Sequence, residues 1–188
     1  MLKKKIARTI SEISNGFLTM ILTPLIGVIS STLTTKDKLI YSLTYLLIPI
    51  LPYLLLKKLG KITDYEFTKR EERPPYFITV TLLFGITYLV LKETGIQMLT
   101  NISLNVFLAS GVITLITFFW KISGHMTYST ILFATLIYIF NQPLLLLLFL
   151  FSPFIAWSRI VLEKHTLSQV TWGTLLPLTI SILIYWGF

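Results

Sequence analysis

The sequence predicts an all-α, polytopic membrane bundle of six or seven transmembrane helices, and three observations carry that prediction. First, 54% of the 188 residues are apolar and only 13% are charged, with a mean hydropathy of +0.79. A soluble domain of this size has no way to cover so much apolar surface. Second, the apolar residues fall into seven blocks, each near the roughly 20 residues that cross a hydrocarbon core as a helix. Third, the breaks between blocks carry turn chemistry, as in "TTKDK", "KETG" and "NQP". Lipid offers no partner to an open backbone N–H or C=O, so blocks of this length are helical.

In chain order, "MLKKKIART" reads as a retained cytoplasmic flank. "SEISNG" separates its charges from the next apolar run, and no small-x-small cleavage pattern follows, as a signal peptide would require. Block 16–33 holds Pro24, Gly27 and several hydroxyl residues, and either spans or lies in the interface. Blocks 39–56, 76–92, 101–120, 123–141, 143–160 and 168–187 read as spans. Between the second and third blocks, residues 57–75 concentrate six of the 16 Lys and Arg and four of the eight acids. Lys57, Lys58 and Lys61 suit a solvated surface anchor. Lys69, Arg70 and Arg73 run directly into Pro74, Pro75 and the next span, and on a helix they would share one face. Trp120, Trp157 and Trp186 stand where amphipathic rings anchor at the membrane boundary. No internal repeat interrupts the chain, which reads as one integral membrane domain, 1–188, with a motif-bearing core at about 57–187.

Composition also excludes. Without cysteine there are no disulfides and no thiolate metal sites. The net charge of +8 gathers beside apolar blocks, which points to the bilayer as partner and not to nucleic acid. Oligomeric state leaves no mark on the sequence.

Polar clusters at 64–74, 121–125 and 158–169 are each separated by two blocks, so an even number of crossings brings all three to one side of the membrane. There Lys69, Arg70, Arg73, Lys121 and Arg159 bring positive charge. Ser123 offers a hydroxyl, and Gly124 allows close approach to a backbone N–H at a helix start. That set suits a tetrahedral oxyanion such as phosphate. His125 and His165, the only histidines, can exchange protons or attack phosphorus near neutral pH. A lone histidine at a helix end more often bonds a carbonyl or water; two beside basic residues on one face favour a phosphate site. Gln169, four residues after His165, lies on the same helical face and can orient its ring. A zinc site using Asp64, Glu66 or Glu163 lacks the spacing that would set ligands on one face.

These clusters resemble the type 2 phosphatidic acid phosphatase family, whose signatures are Lys-x6-Arg-Pro, Pro-Ser-Gly-His and Ser-Arg-x5-His-x3-Asp. Ser158, Arg159 and His165 fit the third. Ser123, Gly124 and His125 fit the second, with Ile122 in place of its proline. At the first, Arg73 and Pro74 match, while Glu66 stands at the lysine position and Lys69 or Arg70 would have to serve. The resemblance covers roughly residues 64–175. It implies a metal-independent phosphatase, without cofactor, acting on a lipid phosphate or diphosphate. In that scheme His165 becomes a phosphohistidine and His125 protonates the leaving oxygen. Arg73, Arg159, Ser123 and the Gly124 N–H hold the nonbridging oxygens, with Ser158, Arg70 and Lys69 beside them. The final aspartate of the family is Gln169 here, which accepts an N–H bond but carries no charge; Glu163 or Asp64 are the candidates to compensate. A composition rich in Ile, Leu and Thr, of archaeal or thermophile type, favours a polyprenyl diphosphate as substrate. The alternative is a non-catalytic protein that binds or transports an anionic lipid through the same cluster.

With all seven blocks crossing, the motif face holds 13 Lys and Arg against three on the other. That bias puts the motif face in the cytoplasm, whereas the resemblance pulls the other way, since many relatives work on the extracytoplasmic or lumenal side; the membrane is expected to be the cell membrane. Without a crossing at 16–33 the count becomes nine against seven.

Overall fold

A computed structural model describes residues 2–187, and among these residues all regular structure is helical. The α-helices are α1 (Leu2–Ile13), α2 (Gly16–Ser30), α3 (Thr35–Lys58), α4 (Arg73–Lys92), α5 (Gln97–Thr117), α6 (Gly124–Phe140), α7 (Ser152–Val161) and α8 (Leu167–Trp186). Two 3-10 segments, Arg70–Glu72 and Pro143–Phe151, lead into α4 and α7. Among the described residues, six stretches are long and apolar enough to cross a membrane: Leu2–Ser30, Thr35–Lys58, Arg70–Lys92, Gln97–Thr117, Pro143–Val161 and Leu167–Trp186. The 17-residue α6 is apolar but rises only about 25 Å. The fold class is therefore the polytopic membrane helical bundle that the apolar blocks predict.

Burial follows lipid rules. Ser103, Asn105, Ser110 and Thr117 are buried along α5, whereas Leu82, Leu115, Leu144 and Leu150 are each more than 60% exposed. With hydrocarbon as solvent, apolar side chains gain nothing by turning inward, and small polar residues let helices approach and bond.

The chain forms two compact units: residues 21–120, and residues 2–20 together with 121–187. In the first, α4 and α5 pack along their length. Gly85 lies under the Phe107 ring, where a Cβ would stand 2.9 Å from it, and the Thr81 and Thr114 hydroxyls bond at 2.9 Å. Tyr45 on α3 bonds Ser103 at 2.7 Å. In the second, α6, α7 and α8 meet at Met126, Ile155 and Val170. Gly173 brings α8 so close to α6 that a Cβ would stand 3.0 Å from the Ser123 carbonyl oxygen. Farther along, Thr135 bonds Tyr185 at 2.7 Å and Tyr138 stacks on the same ring at 4.3 Å.

Three elements differ from the sequence reading. The N-terminal residues are not only a charged flank: they form amphipathic α1, whose Ala7 and Ser11 are buried. Asn15 then starts α2 by accepting the Phe17 N–H at 2.8 Å. Block 143–160 is not one α-helix. Pro153 has no N–H for the carbonyl four residues back, and the chain before it takes the tighter 3-10 form, with the Ser152 N–H on Phe149 O. Finally, Lys69 does not share a helical face with Arg73, because its backbone is extended and helix begins only at Arg70.

Candidate active site

Ser123 ends an extended stretch and caps α6, its Oγ accepting the Met126 N–H at 3.4 Å. This leaves Gly124 at the first helical position and His125 just inside. Apart from its two chain neighbours and the backbone of its own helix, no described heavy atom lies within 4 Å of where a Gly124 Cβ would be. That open space borders the positive end of a helix, as an anion seat requires.

Arg159, in the last turn of α7, is 2% exposed. Its Nη1 stands 3.3 Å from His125 Nε2 and also donates to the Ser11 hydroxyl. Its backbone carbonyl receives the N–H groups of Lys164 at 3.0 Å and His165 at 3.3 Å. Arg159 thus touches one histidine through its side chain and holds the other through its backbone. The two-span return predicted between 121–125 and 158–169 is met within this unit.

Tight backbone closes the loop between them. Glu163 takes a left-handed conformation, with φ of 57°. Thr166 and Gln169 then form a capping box that starts α8. Gln169 Oε1 accepts the Thr166 N–H at 3.2 Å and lies 3.0 Å from His165 Nδ1. Because a backbone N–H needs an acceptor, the atom facing it is oxygen, and the same oxygen requires a proton on Nδ1. Nε2 is then the lone-pair nitrogen of the His165 ring. The Ser123 N–H donates to the Gln169 carbonyl at 3.3 Å, tying the start of α6 to the start of α8. Ser158 gives its proton to Ile155 O at 2.7 Å.

Arg73, Arg70 and Lys69 belong to the unit 21–120. Arg73 is buried at the start of α4 and donates from Nε to Phe67 O at 3.0 Å. Phe67 has a φ of 51°, and its ring packs on Tyr76 and Phe77 at 4.4 and 5.8 Å. Arg70 Nη1 donates to Phe119 O at 2.9 Å, and Lys69 pairs with Glu72 at 3.6 Å. Of the proposed compensating acids, Asp64 accepts from Glu66 N and Thr68 N in its own loop. Glu163 is exposed and pairs with Lys4 at 3.2 Å. Among the described residues, no three His, Cys, Asp or Glu side chains gather in a metal-binding group.

Ser11 is the residue that sequence reasoning missed. Its signal is faint: Ala7 and Ser11 are four apart on a charged helix, a small-residue face that permits close packing.

One comparison with known families bears on this cluster. Residues 111–188 match the family model of the PAP2 superfamily. The PAP2 match is consistent with a type 2 phosphatidic acid phosphatase family member. It contains His125, Arg159 and His165, and it begins after Arg73. PAP2 proteins are phosphatases of membranes, which fits the apolar helices that carry this cluster. No curated protein and no solved structure matches the chain significantly.

Proposed function

We propose that this PAP2-type chain removes phosphate from a lipid phosphate or polyprenyl diphosphate through a phosphohistidine, without a metal ion. The observation that carries the proposal is Arg159 gripping both histidines while Gln169 leaves the His165 Nε2 lone pair to attack. In the first step Nε2 forms a bond to phosphorus, the bond to the leaving oxygen breaks, and His125 supplies that oxygen with a proton. The product is a lipid alcohol, or a prenyl monophosphate from a diphosphate. In the second step water attacks phosphorus and gives a proton to His125. The N–P bond breaks, releasing inorganic phosphate and restoring His165. Nothing is oxidised or reduced. Arg159, the Gly124 N–H and Ser123 stabilise the nonbridging oxygens. The carboxylate-free pairing of His165 with Gln169 favours one rival, a binding protein for anionic lipids.

The test is phosphate release by the detergent-purified chain from short-chain phosphatidic acid and from farnesyl diphosphate. Release that is lost in His165→Ala and unaffected by EDTA supports the proposal. Retention of either lipid without release supports the binding protein, and loss of release in EDTA contradicts the metal-free mechanism.

The motif face is proposed to be cytoplasmic, at the cell membrane. The Lys4–Glu163 pair supports this, since it sets the N-terminal cations beside the motif loop.

A further inference from the structure

α1 contributes to the histidine cluster although it lies about a hundred residues before the matched region. Lys4, Ala7 and Ser11 follow one another at spacings of three and four, on one helical face. At one end of that face Lys4 pairs with Glu163 at 3.2 Å. In the middle Ala7 is wholly buried. At the other end Ser11, 2% exposed, accepts from Arg159 Nη1 and stands 3.5 Å from His125 Nε2. The following turn is fixed as well, since a Cβ on Gly16 would stand 2.9 Å from the Gly124 carbonyl carbon and oxygen. Ser11 is thus held against the two groups that the proposed reaction asks to steady an oxygen and move a proton.

A hydroxyl carries one proton and two lone pairs. Arg159 is a permanent donor and occupies one lone pair. The remaining lone pair accepts from His125 when Nε2 holds a proton, and the hydroxyl proton serves Nε2 when it does not. Alanine can do neither. It would remove the oxygen that both the Arg159 and the His125 nitrogens approach. We propose that Ser11 is a positioning residue of the phosphate site, supplied by the N-terminal helix to hold Arg159 and His125 aligned through both steps. This rests on the phosphatase reading above.

The test compares full-length wild type with Ser11→Ala, Ser11→Thr and Thr9→Ala, all in detergent with farnesyl diphosphate. Thr9 is exposed and bonds only within α1 to Lys5 O, so its variant controls for changes to the helix. Ser11→Ala is expected to lower kcat about 10- to 100-fold, with KM within about threefold and the melting temperature unchanged. Ser11→Thr, which keeps the hydroxyl, is expected to recover most of the rate. A Ser11→Ala kcat within threefold of wild type overturns the role while the phosphatase reading stands. So does a loss that follows melting temperature and that threonine does not rescue. A wild type that releases phosphate from neither lipid overturns the phosphatase reading, and this role with it.

Discussion

At His165 one amide oxygen has two duties. Gln169 Oε1 accepts the Thr166 N–H that starts α8 and faces His165 Nδ1, so helix start and tautomer are fixed by the same atom. Gln169→Ala is expected to lower kcat by about 10² to 10⁴, the upper end being the cost of a wrong tautomer in a serine protease. Gln169→Glu keeps the acceptor and adds a negative charge beside the His165 ring, so its kcat is expected to equal or exceed that of wild type. Steady-state kinetics on one lipid diphosphate checks both; an alanine variant as fast as wild type contradicts the assignment. The pairing of these residues was legible from their spacing of four, but not for the reason that spacing suggested: His165 precedes the Thr166 cap and lies outside α8, and the capping box turns the Gln169 side chain back toward its ring. Ser11 was not, because nothing local links it to Arg159, 148 positions away.

Among the elements, close helix crossings position the cluster. Gly173 lets α8 lie against the Ser123 carbonyl, 3.0 Å from where a Cβ would be. Backbone cannot swing aside as the end of a flexible side chain can. Gly173→Ala is therefore expected to destabilise the chain by about 1–3 kcal/mol and to slow phosphate release, because α6 and α8 carry His125 and Gln169. A melting curve in detergent measures the first effect, and an unchanged midpoint with unchanged rate would contradict it. The apolar blocks predicted most helices well, since hydrocarbon forces helix on any long apolar run. They did not reveal the 3-10 form of Pro143–Phe151, whose sequence is as apolar as an α-helical span. Nor did they reveal α1, which has no long apolar run and is helical through its packing face.

For the molecule as a whole, the span count and the return of the histidine clusters to one face follow from block number. Division into two compact units does not, because hydropathy reports what faces lipid and not which helices pack together. Topology is open to direct test because the chain has no native cysteine. With the motif face cytoplasmic, Lys3→Cys should react with a membrane-impermeant maleimide only after cell lysis. Gln142→Cys, exposed beyond the far end of α6, should react in intact cells. Labelling of Lys3→Cys in intact cells would reverse the assignment.

The central claim is that phosphorus bonds to His165 during turnover. Rapid quenching of farnesyl diphosphate labelled with ³²P on its terminal phosphoryl group tests it, using a His125→Asn variant to slow release of the intermediate. Acid-labile, alkali-stable label on the peptide containing residue 165 is the predicted result. Phosphate release with no label at any time point, or label confined to another residue, would contradict it.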